Sequence, residues 1–481
     1  MNLRKKVVSG LKWSTVARIG RQLLQFITLA ILARLLEPSD FGLMTSAMVV
    51  IGFVNVFRDL GVSAALIQKQ NVSSELFSSV FWISVFAGIS FMLSLFFLSP
   101  IIAGFYNAPE LITILRVLSV SFLFSGFSIV QQALLEKNME FKLLAKFELA
   151  ATFLAAVTGI SLAFSGYGVW SLVFQTMVFS FTLSVLIGFS IKEKPKFYIK
   201  LKEIKSVANY SLNLSGFNII NYFVRNADYI LIQKFLGEQQ LGYYTLAYRL
   251  MLYPLQNITA IITRVMFPAL SRIQNDNVKF KEVYIKLINV IALITFPLML
   301  GLIAVNNNFV FVVFGVKWEP VITLILILAP LGLIQSVYTP AGMIYQAKGR
   351  TDWWFKWGVL TGILFISAFW IGLKWGIYGV ALGYLIANFL ALYPGMAIPF
   401  SLIKLKVSEF LLSLRKTLAI SLIMFFAVFG MKLLLIDFLS LKSVLVVSVL
   451  IGGLFYIAMN FLFNKDKLNL ICENIKANKS L

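Results

Sequence analysis

Apolar stretches of about 20 residues recur along the whole of this chain, and that recurrence decides its fold class. Each is long enough to cross the ~30 Å hydrocarbon core of a bilayer as an α-helix, which satisfies its own backbone hydrogen bonds in lipid. Runs and breakers mark fourteen spans: 14–36, 41–66, 79–104, 112–135, 147–165, 169–191, 209–236, 241–268, 285–305, 321–346, 357–374, 377–402, 413–433 and 443–463. Of 481 residues, 59% are hydrophobic and only 13% charged, with a mean hydropathy of +0.88. A soluble domain averages nearer ~25% charged residues. The expectation is an all-α polytopic membrane protein of about 14 transmembrane helices.

The charges test that topology. Lys and Arg number 42 against 20 acids. In a soluble chain this excess would suggest nucleic acid; in a membrane chain it collects in cytoplasmic loops. With the N-terminus inside, the inner segments hold 29 Lys and Arg, among them Lys137, Lys142, Lys146, Lys348, Arg350 and six lysines between Lys192 and Lys205. The outer loops hold Lys317, Lys374, Lys432 and Lys442. Both termini are therefore expected in the cytoplasm, with no nucleic-acid partner. Arg4, Lys5, Lys6 and Lys12 precede an apolar run without a small-residue cleavage site, so this run reads as a retained first helix.

Chemistry leaves few marks. There is no His, and Cys472 stands alone, which removes the commonest general base and argues against a disulfide or a metal cluster. No GxxxxGK[ST] loop is present, and the segments between spans are too short for an appended catalytic domain. Asp40, Glu37, Glu75 and Glu110 read as isolated loop acids. The expectation is a non-enzyme without cofactor, metal or catalytic residues.

Against this apolar background two polar stripes stand out. Arg18, Arg21, Gln22, Gln25 and Thr28 share one helical face of the first span. Asn218, Asn221, Arg225 and Asp228 share a face of the seventh, and lie 200 positions after Arg18, Arg21, Gln25 and Thr28. The strings LLEPSDFG (35–42) and FLGEQQLG (235–242) repeat at the same offset; GYGVWSLV (166–173) and IYGVALGY (377–384) repeat at 211. Two halves of six spans share one orientation, the pattern of parallel-repeat transporters. The predicted organisation is an N-lobe (1–191), a basic amphipathic linker (192–207), a C-lobe (208–402), and two further spans with a tail (403–481), the two pseudo-symmetric lobes surrounding a central cavity.

Charge in hydrocarbon is expensive, so intramembrane charges mark wet interiors. Arg18, Arg21, Gln25, Arg58, Asn221, Arg225 and Arg249 are the expected cavity residues. Asn55 lies near Arg58. Asp59 and Asp228 are either ion-pair partners or ion-coupling groups. Arg34, Lys234, Arg116 and Arg264 fit snorkelling cations near helix ends. Guanidinium groups outnumber carboxylates about two to one among these, which suits an anionic, phosphate-bearing substrate. Pro254, Pro297, Pro330, Pro340, Pro394 and Pro399 offer flexing points in the second half, and Trp353, Trp354 and Trp357 read as an interfacial belt.

The strings LARLLEPSDFGLMTSAMVV, DLGVSAALIQ, LLEKNMEFKLLA, GYGVWSLV and RNADYILIQKFLGEQQLGYYTLAYRLMLYP resemble the Wzx-type polysaccharide flippases. The nearest look is to the colanic-acid-exporter-like branch of the multidrug/oligosaccharidyl-lipid/polysaccharide (MOP) export superfamily, over about the first 400 residues. The resemblance implies alternating access. It also implies a substrate of oligosaccharide on undecaprenyl pyrophosphate, moved across a bacterial inner membrane for O-antigen, capsule, exopolysaccharide or lipopolysaccharide synthesis, with a polymerase and glycosyltransferases as partners beside membrane lipids. Arg18, Arg21, Arg225 and Arg249 would hold the pyrophosphate. Two alternatives stand: a cation-coupled multidrug exporter of the same superfamily, and a membrane polymerase or ligase acting on the same lipid.

Overall fold

The computed structural model describes residues 3–58, 74–190, 195–197 and 221–464; the side chains of residues 3–17, 58, 260, 261, 264 and 265 lie outside that description. Every regular element described is helical. In the first part these are α1 (Leu3–Leu35), α2 (Pro38–Arg58), α3 (Ser74–Tyr106), α4 (Glu110–Lys137), α5 (Phe141–Phe164), α6 (Val169–Ser190) and α7 (221–236). There follow α8 (Glu238–Pro254), a π-helical turn (Leu255–Thr259), α9 (Ala260–Arg272), α10 (Asn277–Val313), α11 (Pro320–Tyr338), a 3-10 turn (Thr339–Ala341), α12 (Gly342–Ala347), α13 (Thr351–Gly372), α14 (Gly376–Ser401), α15 (Val407–Leu435) and α16 (Leu441–Phe463).

Ten helical stretches among the described residues are long and apolar enough to cross a bilayer, one of them the 51-residue Thr351–Ser401. The molecule is a polytopic helical membrane protein. The exceptions are α1, α7 and the α8–α9 segment: α7 is described over 16 residues, and polar residues dilute the apolar character of the other two.

The chain forms two compact units, residues 1–242 and 243–481. This division by packing differs from the division by repeat at 191/208, because α7 packs onto α2. Tyr222 donates to the Val49 carbonyl at 2.6 Å, and Ser46 donates to Gln233 Oε1 at 2.8 Å in a buried bond. Within lipid there is no water to expel between helices, so close van der Waals fit carries association. In the first unit α3 and α4 meet at Gly88 and Gly126. A Cβ on Gly88 would lie 2.6 Å from the Phe122 carbonyl, and one on Gly126 2.7 Å from that of Ser84.

The second unit is organised on α10, a 37-residue helix that packs against α11, α15 and α16. Its first turn is capped by Asp276, which accepts from the Lys279 N–H at 3.0 Å. Phe280, Tyr284, Phe400 and Phe410 are fully buried around it. Lys281 pairs with Glu409 at 2.7 Å, tying the starts of α10 and α15.

Several expectations change in detail. Only Pro254 and Pro340 interrupt their helices, at the π-turn and the 3-10 turn; Pro297, Pro330, Pro394 and Pro399 lie inside helices that continue. Lys432 is not a loop residue: it is buried in the last turn of α15, donating to the Ala304 carbonyl at 3.2 Å. Asp40 is no isolated acid, since it accepts from the Glu37 N–H at 2.9 Å at the start of α2. Most of the linker lies outside the described residues. Its piece 195–197 is held on α3, where Trp82 Nε1 donates to the Lys196 carbonyl at 3.0 Å and the Phe197 ring meets Trp82 edge-on at 5.0 Å.

Candidate functional site

The polar face of α1 divides along its length. Thr28 is buried and bonds back to the Leu24 carbonyl at 2.8 Å, while Gln25, just short of one turn earlier, is exposed. Arg18 is half-buried. Arg21 reaches sideways to α5, where its guanidinium lies 2.6 Å from Glu148 Oε2. Glu148 is the ion-pair partner that the stripe alone does not reveal; the signal for it is an acid one residue inside the span 147–165.

On α7 the face is split more sharply. Asn221 and Arg225, one turn apart, are both exposed. Arg225 has no hydrogen-bond or ion-pair partner among the described residues. Asp228 is 2% exposed, and its carboxylate accepts from the Tyr229 N–H at 2.9 Å. Among the described residues, then, Arg225 and Asp228 do not pair with each other. Within a membrane span, an arginine and an amide so exposed would need water or a polar ligand beside them.

Asn55 Oδ1 is buried without a partner among the described residues. Arg58 ends α2, and its side chain, with Asp59 and Asn218, lies outside the described residues. Arg249, in the second unit, is exposed on α8. Of the cations assigned to helix ends, Arg116 bonds Ser99 Oγ at 3.2 Å and covers the Phe96 ring at 4.7 Å, and Lys234 sits 5.0 Å over Phe105. Arg264's side chain lies outside the description. Trp353 stacks under Arg350 at 4.0 Å, and Trp357 donates to Tyr338 at 2.7 Å. Among the described residues no cluster of three or more His, Cys, Asp or Glu is placed to hold a metal.

What remains is an arginine- and amide-bearing set of surfaces inside an apolar helical frame. A family model described as "Polysaccharide biosynthesis protein" matches residues 31–323. The chain belongs to this polysaccharide biosynthesis family. It is 32% identical over 395 residues to lipopolysaccharide biosynthesis protein WzxC of Escherichia coli (strain K12), covering 81% of this chain and 80% of that protein. It is 28% identical over 460 residues to teichuronic acid biosynthesis protein TuaB of Bacillus subtilis (strain 168), covering 95% of each. Its fold is that of a solved lipid II flippase MurJ in an inward closed conformation, with a TM-score of 0.76 at 20% identity over 95% of this chain and 99% of that one. The Wzx-type resemblance of LLEPSDFG and its companion strings is thus borne out by the family match and by WzxC.

Proposed function

We propose that this family member is a flippase that carries oligosaccharide repeat units on undecaprenyl pyrophosphate across the bacterial inner membrane by alternating access, for surface polysaccharide synthesis. It is a transporter rather than an enzyme. The observation that carries this reading is Arg225, exposed beside Asn221 with no partner among the described residues, in a fold shared with a lipid II flippase. A guanidinium in a poorly hydrated setting offers a planar, permanently charged fork to two phosphate oxygens. In the first unit Arg18 and Gln25 serve the same headgroup, Arg21 in its Glu148-paired form, and the polyprenyl tail stays in lipid; Arg249 is the candidate headgroup contact of the second unit. Arg58, Asp59 and Asp228 complete the proposed set, the acids serving ion coupling or pairing. We further assign 14 spans in lobes 1–191 and 208–402 with two added helices, both termini cytoplasmic, and a polymerase and glycosyltransferases as working partners.

The test uses a deletion strain complemented with variants at matched protein level. Arg225→Ala lowers surface polymer by about tenfold or more, the loss of a charge-assisted contact. Arg225→Lys rescues only partly, because a point charge lacks the bidentate fork. Wild-type polymer from Arg225→Ala overturns the assignment; a deletion strain that loses broad drug resistance instead of polymer supports the multidrug alternative.

A further inference from the structure

The α8–π–α9 segment is the least apolar of the long helical segments in the second unit, and its break is at its midpoint. Its parts are 17, 5 and 13 residues long, so the π-turn Leu255–Thr259 sits about halfway through any membrane it crosses. Pro254 supplies the cause: it has no N–H to give, and its ring crowds the carbonyl one turn back. The chain responds by widening one turn, which inserts an extra residue and re-aims the side chains around it; such turns gather at functional sites.

The direction of re-aiming can be read from burial. Leu250, Met251, Leu255 and Thr259 are buried, and the turn packs on α10 and α11. Arg249 and Gln256 are exposed on the other side, with Tyr253 half-buried between them, at spacings of four and three. Helices of the same unit that face lipid look different: the exposed residues of α13 and α14 include Leu360, Ile363, Phe389 and Leu390. An uncharged amide at mid-depth, exposed and with no hydrogen-bond partner among the described residues, belongs beside water or a polar ligand.

We propose that Gln256 is a specificity-determining residue for the carbohydrate part of the transported headgroup, with Tyr253 beside it; this rests on the flippase reading above. An amide presents two donors and an acceptor in one plane, the complement of neighbouring sugar hydroxyls, and has no charge with which to hold phosphate. The tyrosine ring adds an apolar face against a sugar ring. The face thus divides recognition: guanidinium for pyrophosphate, amide and ring for sugar.

The experiment measures binding of two probes to purified full-length protein in nanodiscs: undecaprenyl pyrophosphate without sugar, and the same lipid carrying a disaccharide. Gln256→Ala weakens the sugar-bearing probe about fivefold, the scale of one or two neutral hydrogen bonds, and leaves the bare lipid unchanged. Arg225→Ala weakens both. Equal losses on both probes, or none on either, from a Gln256→Ala protein of wild-type thermal stability overturn the proposal. Should that variant misfold, Gln256→Cys with Cys472→Ser gives the same decision by maleimide labelling: protection by the disaccharide lipid alone supports it, and protection by both or neither refutes it. Wild-type protein that binds neither probe overturns the flippase reading itself, a result distinct from a Gln256 that does not discriminate.

Discussion

At the scale of single residues, the decisive contrast lies between Arg21 and Arg225, to which the sequence reading assigns the same pyrophosphate-holding role. Arg21 is neutralised by Glu148 at 2.6 Å, across 127 positions of chain, whereas Arg225 has no partner among the described residues. The spacing of the stripes is legible in one dimension; the partner on another helix is not, because it depends on α1 packing against α5. Nor does spacing reveal that Asp228 turns inward while Arg225 turns outward, about 60° apart on the same helix. The consequence is a ranking. Arg21→Ala reduces surface polymer less than Arg225→Ala at equal protein level, since its charge is already balanced. A double-mutant cycle on Arg21 and Glu148 gives a coupling of about 0.5–1 kcal/mol, modest because both side chains are about a third exposed. Thermal unfolding in detergent measures it, and an export loss as deep for Arg21→Ala as for Arg225→Ala would refute the ranking.

At the scale of elements, the repeat visible in the sequence acquires a physical meaning. The 200-position offset that pairs LLEPSDFG with FLGEQQLG also pairs Gly42 with Gly242 and Pro38 with Glu238. In the structure the relation is reciprocal: a Cβ on Gly42 would lie inside the Glu238 carbonyl, and one on Gly242 inside that of Pro38. The two helix starts touch backbone to backbone, and only glycine permits it. Gly42→Ala and Gly242→Ala each destabilise this arrangement by about 1–3 kcal/mol, the cost of overpacking against an immobile backbone. A thermal midpoint unchanged in both variants would show that the contact is not held. Lys348 plays a similar part at the other joints of the second unit. It bonds the Gln274 carbonyl and, at 2.6 Å, Asn277 Oδ1, over the Phe280 ring, and burial pushes its ammonium below the usual lysine range. Among the described residues, the ten apolar helical stretches follow the apolar runs of the sequence, and the polar stripes follow from residue spacing. Which prolines break their helices was not legible there: Pro297 and Pro254 look alike in sequence, yet a widened turn follows Pro254 while the helix continues through Pro297.

At the scale of the whole molecule, the placement of charge underlies the proposed orientation, and orientation decides from which leaflet a substrate enters. With the proposed 14 spans, the Lys and Arg behind the +22 formal charge gather on alternate connections, and the burial of Lys432 within α15 would leave even fewer cations on the sparse side. Loops rich in Lys and Arg are retained on the cytoplasmic side during insertion. Two connections in the structure make the assignment testable by a single chemistry. Met139, between α4 and α5, is exposed among Lys137, Lys142 and Lys146; Val316, between α10 and α11, is exposed beside Lys317 alone. With Cys472 replaced by Ser, Val316→Cys reacts with a membrane-impermeant maleimide in intact spheroplasts, and Met139→Cys reacts only after lysis. Both sites reacting from the same side would mean an even number of crossings between them, and the span count from α5 through α10 would fall. The reverse pattern would place the lysine-rich connections outside, and a headgroup gripped from the cytoplasmic leaflet would no longer fit the chain's polarity.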